Sequence, residues 1–358
     1  MITSSSCQAQ QFRTDDIGSS EHTRTSQYLC QYIESPMTID GLLDESIWEQ
    51  IPWTRDFVDL SDPEGAQPMR QSHAKLCWDD QYLYIAAELT EDHIYATLTM
   101  RDDQIYKHDD AFEVFIDPDG DGHNYMELQL NALNTIWDLY MRYPYSIDKG
   151  TNAISGWQAA GLKHAVHING TINDASDQDQ SWTIEMAFPW SLFRDFKRGR
   201  TIPRDGDQWR LNLCRVDWQM NISAGTYVKA VGNDGSEISA KYWAWSPTST
   251  HTTHRPDRFG YIQFVKDPSA TFVSDVDESI QTALWDMYYQ VKDCLRTAGP
   301  ESCTLDQVSI PVVAIEGYEF GPQLQYNIRG FDLIAESTNR RKAIVINEQA
   351  LMTTISTK

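Results

Sequence analysis

Polar side chains recur at alternate positions from Tyr125 to Asn131, in a stretch rich in carboxylates and amides. A β-strand sends alternate side chains to opposite faces, so Glu127, Gln129 and Asn131 share one face and the apolar residues between them share the other. Glu113 lies on the preceding predicted strand, which also alternates apolar and acidic residues. Carboxylates and amides in such a row hydrogen-bond to hydroxyl groups. The face therefore suits recognition of a polar, uncharged ligand.

A second acidic pattern places Asp117, Asp119 and Asp121 at alternate positions, with a proline and two glycines around them. Oxygen ligands spaced in this way can surround a calcium ion. The pattern is not an EF-hand, because predicted strands rather than helices flank it. A β-turn rich in Asp and Gly accounts for the same residues. A structural calcium site and a simple turn therefore both stay open.

Acid–base chemistry is conceivable at His108, Asp109 and Asp110, since two carboxylates beside a histidine can transfer protons. A polar loop rim above the binding face accounts for the same residues. The sequence has no nucleophile elbow, no P-loop, no dinucleotide fingerprint and no Cys-x-x-Cys. These absences favour binding over catalysis.

Short strand-like runs, separated by Gly, Pro, Asn and Asp, must position these residues. They extend from about residue 31 to residue 268 and predict a β-sandwich. Residues 275–352 differ in pattern. Apolar residues at helical spacing predict a helix over 275–296, and strands are predicted at 312–315, 324–328 and 343–346. We therefore expect a small C-terminal α+β unit.

The composition is strongly acidic, with 29 basic and 52 acidic residues in 358 and a net charge of −23. This charge argues against nucleic acid and against anionic membrane surfaces as partners, because both require clustered Lys and Arg. No apolar run is long enough to predict a transmembrane helix. Aromatic residues reach 11%, with 12 Trp and 17 Tyr, which is more than a core requires.

The N-terminal segment, residues 1–30, is polar and predicted to be disordered or processed. Its first residues resemble the tail of a bacterial lipoprotein signal, with Cys7 as the acylated residue, but the apolar segment of such a signal is absent. A lipid anchor at Cys7 and an incidental cysteine both stay open.

Cys77 and Cys214 lie in apolar strands and are predicted to be buried thiols, whereas Cys294 and Cys303 are close enough to close a short loop in an oxidising compartment.

Five motifs in order resemble the family 9 carbohydrate-binding modules and the wider set of family 9-like proteins. They occupy 39–48, 76–85, 110–117, 182–190 and 254–260. Their most typical elements are W-D-x-x-Y-L-Y in the second, D-x-x-E-x-F-I-D in the third and P-x-x-F-G in the last. The resemblance implies an immunoglobulin-like antiparallel β-sandwich with bound calcium. It says little about residues 275–352.

In family members with a known ligand, two aromatic side chains clamp the end of a β-glucan or xylan chain. The resemblance implies that Trp245 is one clamp residue, that Glu113 is a hydrogen-bond acceptor, and that Asn131 matches an asparagine beside the position of Gln129. Gln129 stands where the family has an arginine, and Tyr106 and Lys107 stand where it has the second clamp tryptophan. With Arg215 on a strand that carries polar ligand contacts in the family, the candidate ligand residues are Tyr106, Glu113, Gln129, Asn131, Arg215 and Trp245.

We therefore expect an exported, non-catalytic protein of a glycan-utilisation system that binds an oligo- or polysaccharide such as xylan or glucan, in the periplasm, on the cell envelope or secreted. One alternative is a hydrolase acting on glycosyl bonds, which would use Asp110, Glu113, His254 or Arg215 on the sandwich itself. Another is haem binding through Met and His ligands, as in related sandwiches. No Met–His pair stands at matching strand ends to support it.

Overall fold

The computed structural model describes residues 25–65, 67–147, 152–274, 277–299, 303–304, 322–337 and 341–356. Strands are the main regular structure in the described part of the N-terminal domain, in agreement with the alternating pattern. Its strands are β1 (Gln27–Tyr32), β2 (Val58–Asp59), β3 (Ser72–Trp78), β4 (Tyr82–Thr90), β5 (Ala111–Asp117), β6 (Tyr125–Leu130), β7 (Ile136–Met141), β8 (Ala153–Ile154), β9 (Lys163–Asn169), β10 (Ser181–Pro189), β11 (Gln208–Asp217), β12 (Met220–Ser223), β13 (Thr226–Lys229), β14 (Lys241–Ala244) and β15 (Gly260–Val265).

Short helical elements lie between the strands. Helix α1 (Ser46–Gln50) buries Trp48, and single 3₁₀ turns span Ile105–Lys107, Leu192–Asp195 and Pro256–Arg258. β1 begins at Gln27, so the first strand starts inside the segment that was predicted to be disordered or processed. Cys7 and the rest of residues 1–24 lie outside the described residues.

One curled sheet of 13 strands contains most of these elements, in the order β8-β7-β6-β5-β11-β15-β1-β3-β4-β10-β9. β14 also pairs with β11, and β2 pairs with β14, while β12 and β13 form a separate hairpin. Neighbours pair antiparallel, except that β1 is parallel to both β15 and β3. The prediction of an antiparallel sheet is thus correct everywhere but at this one strand.

The two halves of the curled sheet pack face to face and enclose the main core. Leu76 and Ile85, from β3 and β4, share one buried cluster with Val114, Leu128 and Leu213, from β5, β6 and β11. The predicted β-sandwich is therefore confirmed. The predicted burial of the Cys77 and Cys214 thiols is confirmed as well.

The opposite face of β5, β6, β7 and β11 is also buried over much of its area. Phe115, Tyr125, Trp137 and Cys214 join a second cluster on this face, which loop residue Phe259 helps to cover. These strands are therefore apolar on both sides, although only one side faces the main core. Polar groups that lie among these apolar residues are consequently shielded from water.

The C-terminal unit consists of α2 (Glu278–Ala298) packed on a four-stranded sheet with strands in sequence order: β16 (Gln323–Asn327), β17 (Gly330–Ser337), β18 (Lys342–Asn347) and β19 (Met352–Ser356). The predicted helix and α+β character are confirmed, and the strand predicted at 312–315 lies outside the described residues. The unit contacts the sandwich through an Arg258–Asp286 ion pair at 2.8 Å. No described helix is both long and apolar enough to cross a membrane.

Candidate ligand-binding cleft

A cleft of about 270 Å³ opens on the outer face of β5, β6 and β7. Four aromatic rings form much of its wall, and two glutamates and a glutamine form its floor. The loop from 251 to 254 closes one side. The lining residues are Tyr106, Glu113, Glu127, Gln129, Trp137, Tyr145, Tyr242, His251, Thr252, Thr253 and His254.

Strand register brings the floor residues together. Glu113 on β5 lies directly opposite Gln129 on β6, and Glu127 lies two residues before Gln129 on the same face. Trp137 on β7 is opposite Gln129 on its other side. The alternation that directs Val114 and Leu128 into the main core thus directs these polar groups into the cleft.

Gln129 joins the two carboxyl groups. Its Nε2 donates to Glu113 Oε1 at 2.8 Å and to Glu127 Oε1 at 3.0 Å. Its Oε1 accepts the backbone N–H of Tyr106 at 3.0 Å, which orients the amide. Within the described part of the chain, Oε2 of Glu113 and Oε2 of Glu127 are buried and have no hydrogen-bond partner. The floor therefore presents two buried carboxyl oxygens that a ligand can satisfy.

Burial changes the protonation of these groups. Burial, and then the nearby Glu127, raise the pKa of Glu113 well above its usual range. Burial raises the pKa of Glu127 to about 7, against a smaller lowering by the hydrogen bond from Gln129. The pair therefore holds at least one proton near neutrality.

His254 borders the carboxyl pair and is neutral. Its Nε2 is 3.6 Å from Glu127 Oε2, and its Nδ1 is 2.9 Å from the Tyr125 hydroxyl. Burial lowers the pKa of His254 to about 3, so the ring carries no charge at physiological pH. The histidine therefore offers hydrogen bonds but no positive charge to balance the glutamates.

The aromatic walls offer flat apolar surfaces. The rings of Tyr106 and Trp137 are nearly parallel, with an angle of 10° between planes and centroids 5.6 Å apart. Tyr145 meets the ring of His254 edge to face at 4.6 Å, and 43% of Tyr145 is exposed at the cleft mouth. Rings above a hydrogen-bonding floor match a ligand with both apolar faces and polar edges.

The predicted calcium residues form a compact group at the β5–β6 turn. Asp117, Asp119 and Asp121 each bring one carboxylate oxygen within 4.8 Å of the others. The Asp117 carboxylate also accepts the N–H groups of Gly120 and Gly122, both at 2.9 Å. Burial and mutual repulsion raise the pKa of Asp117, and those of its two neighbours are raised mainly by burial. Three crowded carboxylates are a donor set that fits a divalent cation, because such an ion would relieve their repulsion.

A family model described as carbohydrate family 9 binding domain-like matches residues 39–267, well over half of the chain. The chain belongs to this family. The resemblance predicted from the five motifs is thereby confirmed. The match ends where the sandwich ends and does not include the C-terminal unit.

Individual relatives are distant. The exoglucanase XynX of Acetivibrio thermocellus is 24% identical over 153 residues, which are 43% of this chain and 11% of that protein. A family 9 carbohydrate-binding module from Caldicellulosiruptor kristjanssonii, solved with cellotriose, is 15% identical with a TM-score of 0.43, over 70% of this chain and 99% of that one. The same module with glucose is 15% identical with a TM-score of 0.42, over 69% and 99% of the two chains.

Three of the six predicted ligand residues line the cleft, namely Tyr106, Glu113 and Gln129. Asn131 does not, so its prediction is wrong. It is fully buried, donates to Asp109 at 2.9 Å, and accepts the backbone N–H groups of Leu133 and Thr135. These bonds hold the turn between β6 and β7, which leaves the Asn131 side chain unavailable to a ligand.

Arg215 is also wrongly predicted, because its side chain points into the sandwich. Cys214 and Val216 belong to the outer cluster, so the residue between them faces the inner side of β11. There its guanidinium contacts Glu91 at 2.5 Å and lies 3.9 Å from Asp110. Asp110 therefore belongs to an internal ion network and not to the cleft.

Trp245 cannot act as an exposed clamp. It is 1% exposed and meets the ring of Tyr28 edge to face at 6.5 Å within the main core. A Cβ on Gly260 would come within 2.4 Å of the Trp245 ring, so the indole fills the space that this glycine leaves. The family comparison identified this residue by motif, but the structure places it in the core.

Sequence reasoning missed most of the aromatic wall. Trp137 could have been found from strand alternation, because it pairs with Gln129 across β6 and β7. Tyr145 lies in an irregular segment and Tyr242 on a strand distant in sequence, so no local signal relates them to Glu113. The polar rim predicted at 108–110 is wrong for the two aspartates, because Asp109 and Asp110 are buried.

Proposed function

We propose that the protein binds an oligo- or polysaccharide such as xylan or glucan in this cleft. The observation that carries the proposal is the combination of aromatic rings and buried hydrogen-bonding groups in one site. The C–H faces of a sugar ring pack on aromatic rings, and its hydroxyl groups bond to carboxyl and amide groups. Membership of the family 9-like proteins supports the same ligand class.

Calorimetric titration of the full chain with a panel of neutral and amino-substituted oligosaccharides tests this function. Tyr145→Ala should weaken binding by about 1 kcal/mol, roughly fivefold, because it removes an exposed ring from the cleft mouth. Tyr145→Phe keeps the ring and is the matched control. If no member of the panel binds, or if Tyr145→Ala binds as tightly as wild type, the proposed site is refuted.

Export to the periplasm, the cell envelope or the medium, as part of a glycan-utilisation system, belongs to the same proposal. The Cys294–Cys303 disulfide supports it, because such bonds persist in oxidising compartments. Cell fractionation of the native protein, with mass spectrometry of the Cys7 peptide, tests both export and the lipid anchor. Recovery of a reduced, unmodified protein from the cytoplasm would contradict both.

A structural calcium ion is proposed at Asp117, Asp119 and Asp121. The proximity of their oxygens supports it, and an ion there would fix the turn that joins the two floor strands, β5 and β6. The ion would act on the cleft only through this turn. Its role is therefore in stability and in the position of the floor residues.

A glycoside hydrolase is the second candidate, because Glu113 and Glu127 share the cleft and retain a proton near neutrality. A protonated carboxyl group can serve as a general acid beside a second carboxyl group. Turnover of chromogenic glycosides that disappears in Glu113→Gln would favour this candidate. Tight binding without turnover across the panel would exclude it for those substrates.

A further inference from the structure

The carboxyl pair on the cleft floor has no Arg or Lys beside it in the part of the chain that the structure describes. Glu113 and Glu127 are 2% and 4% exposed, and no Arg or Lys is among the described residues that line the cleft. Lys107 approaches the Tyr106 ring at 5.7 Å, but its side chain is exposed and is not part of the lining. His254 is neutral, as shown above. An ionised carboxylate in this position is therefore uncompensated.

A second acidic cluster of the sandwich, by contrast, is paired with arginine side chains. Glu91, Asp110 and Asp217 lie within 4.8 Å of one another. Arg215 contacts Glu91 at 2.5 Å, and Arg70 lies 3.1 Å from Glu91 and 3.3 Å from Asp217. Two guanidinium groups of the chain thus pair with that cluster. The cleft pair, which is at least as buried, has no such groups among the described residues that line the cleft.

The cleft walls also favour a positive charge. The faces of Trp and Tyr rings attract cations, more strongly where water is excluded. Four such rings, from Tyr106, Trp137, Tyr145 and Tyr242, surround the space above the two carboxyl groups. Carboxyl oxygens and aromatic rings that line the same cleft are surroundings that stabilise a desolvated ammonium group.

We propose that the cleft is specific for an amino sugar, in which a protonated amino group on the sugar ring supplies the permanent cation that the described cleft residues lack. The amine would donate to the free Oε2 atoms of Glu113 and Glu127, while the sugar ring packs on the aromatic wall. This inference rests on the proposed carbohydrate-binding function and, within the carbohydrates, favours an amino-substituted glycan over neutral xylan or glucan.

Binding of a charged amine requires the carboxyl pair to give up its proton to solvent. Five buried or partly buried titratable groups near the pair do not change charge near neutrality, because burial raises or lowers each pKa away from that range. They are Tyr125, Tyr145, Tyr242, Cys214 and His254. The exposed His251 also lines the cleft. Proton release that persists in His251→Gln and disappears in Glu127→Gln is therefore a signature of the amine and the pair.

The test compares three probes on the full chain at about pH 6.5, where an amine with a pKa near 8 is protonated. They are the glucosamine trimer with free amines, its fully N-acetylated form, and cellotriose. Calorimetry in two buffers of different ionisation enthalpy measures affinity and proton release together. The free-amine trimer should bind at least tenfold more tightly than either neutral probe, a difference of about 1.4 kcal/mol, and should alone release protons.

Glu127→Gln should reduce the preference for the free amine to less than threefold, and Glu113→Gln should act in the same direction. Glu34→Gln removes an exposed carboxylate outside the cleft and is the control for net charge. The affinities of the wild-type protein for the three probes test the amino-sugar proposal even if a cleft variant fails to fold. Equal or tighter binding of cellotriose overturns the amino-sugar inference but keeps carbohydrate binding. The absence of binding by all three probes and by the wider panel overturns both.

Discussion

Replacement of Trp245 by alanine distinguishes a core residue from a ligand clamp. The family motif places this tryptophan at the sugar, whereas the structure encloses it between Tyr28 and the backbone of Gly260. Its backbone carbonyl also accepts a hydrogen bond from the Ser26 hydroxyl at 2.7 Å, and this bond does not depend on the side chain. The substitution therefore removes the packing of the indole and leaves this backbone hydrogen bond in place.

The expected cost follows from the volume removed. Truncation of a buried tryptophan to alanine loses the transfer free energy of the indole and leaves a cavity, together about 3–5 kcal/mol. Domains are stable by about 5–15 kcal/mol, so the variant should remain folded at 25 °C with a clearly lower denaturation midpoint. Tyr28 and Gly260 cannot refill the space, because β1 and β15 hold their backbones in the sheet.

Two measurements on the same sample separate the two roles. Urea unfolding should show the loss of 3–5 kcal/mol, and calorimetry with a saccharide that binds wild type should show affinity within about threefold. Tyr145→Ala is the reverse control, because loss of this exposed ring should lower the affinity for the saccharide and leave the free energy of unfolding unchanged. The reasoning is refuted if Trp245→Ala unfolds like wild type and no longer binds.

Three further outcomes are expected. The pKa of Glu127 is about 7 in the folded protein and lower in the unfolded chain, so the folded state loses stability as the pH rises. Between pH 4.5 and 7, wild-type stability should fall by up to roughly 3 kcal/mol relative to Glu127→Gln. A difference in urea unfolding that does not change with pH would contradict this. Calcium at 100 times its Kd should stabilise wild type by about 2.7 kcal/mol and Asp117→Asn by almost nothing. If calcium raises the thermal unfolding temperature of both proteins equally, this site is excluded. Cys294→Ser should cost the C-terminal unit roughly 2–3 kcal/mol, and alkylation without reduction should label neither Cys294 nor Cys303 in the wild type; labelling there would contradict the disulfide.

Alternation was enough to predict the strands that form the cleft floor. Glu113 and Gln129 could be identified because each lies between apolar neighbours that must face the core. The same reasoning fails for Arg215, because β11 has apolar residues on both faces. When both faces are buried, the local pattern does not tell which one faces the main core.

The sequence by itself determined the family, the β-sandwich, the α+β character of the C-terminal unit and the three acidic residues of the turn, because strand alternation, helical spacing and motif order are local properties. The tertiary structure alone decided that Tyr145, Tyr242 and His254 meet Glu113, and that Trp245 lies in the core. These relationships depend on strand register and on the folding of one sheet over itself, which join Glu113 to Tyr145, 32 positions away, and to His254, 141 positions away. Their consequence is chemical as well as geometric, because the assembled cleft holds two buried carboxyl groups and, among the described residues that line it, no Arg or Lys.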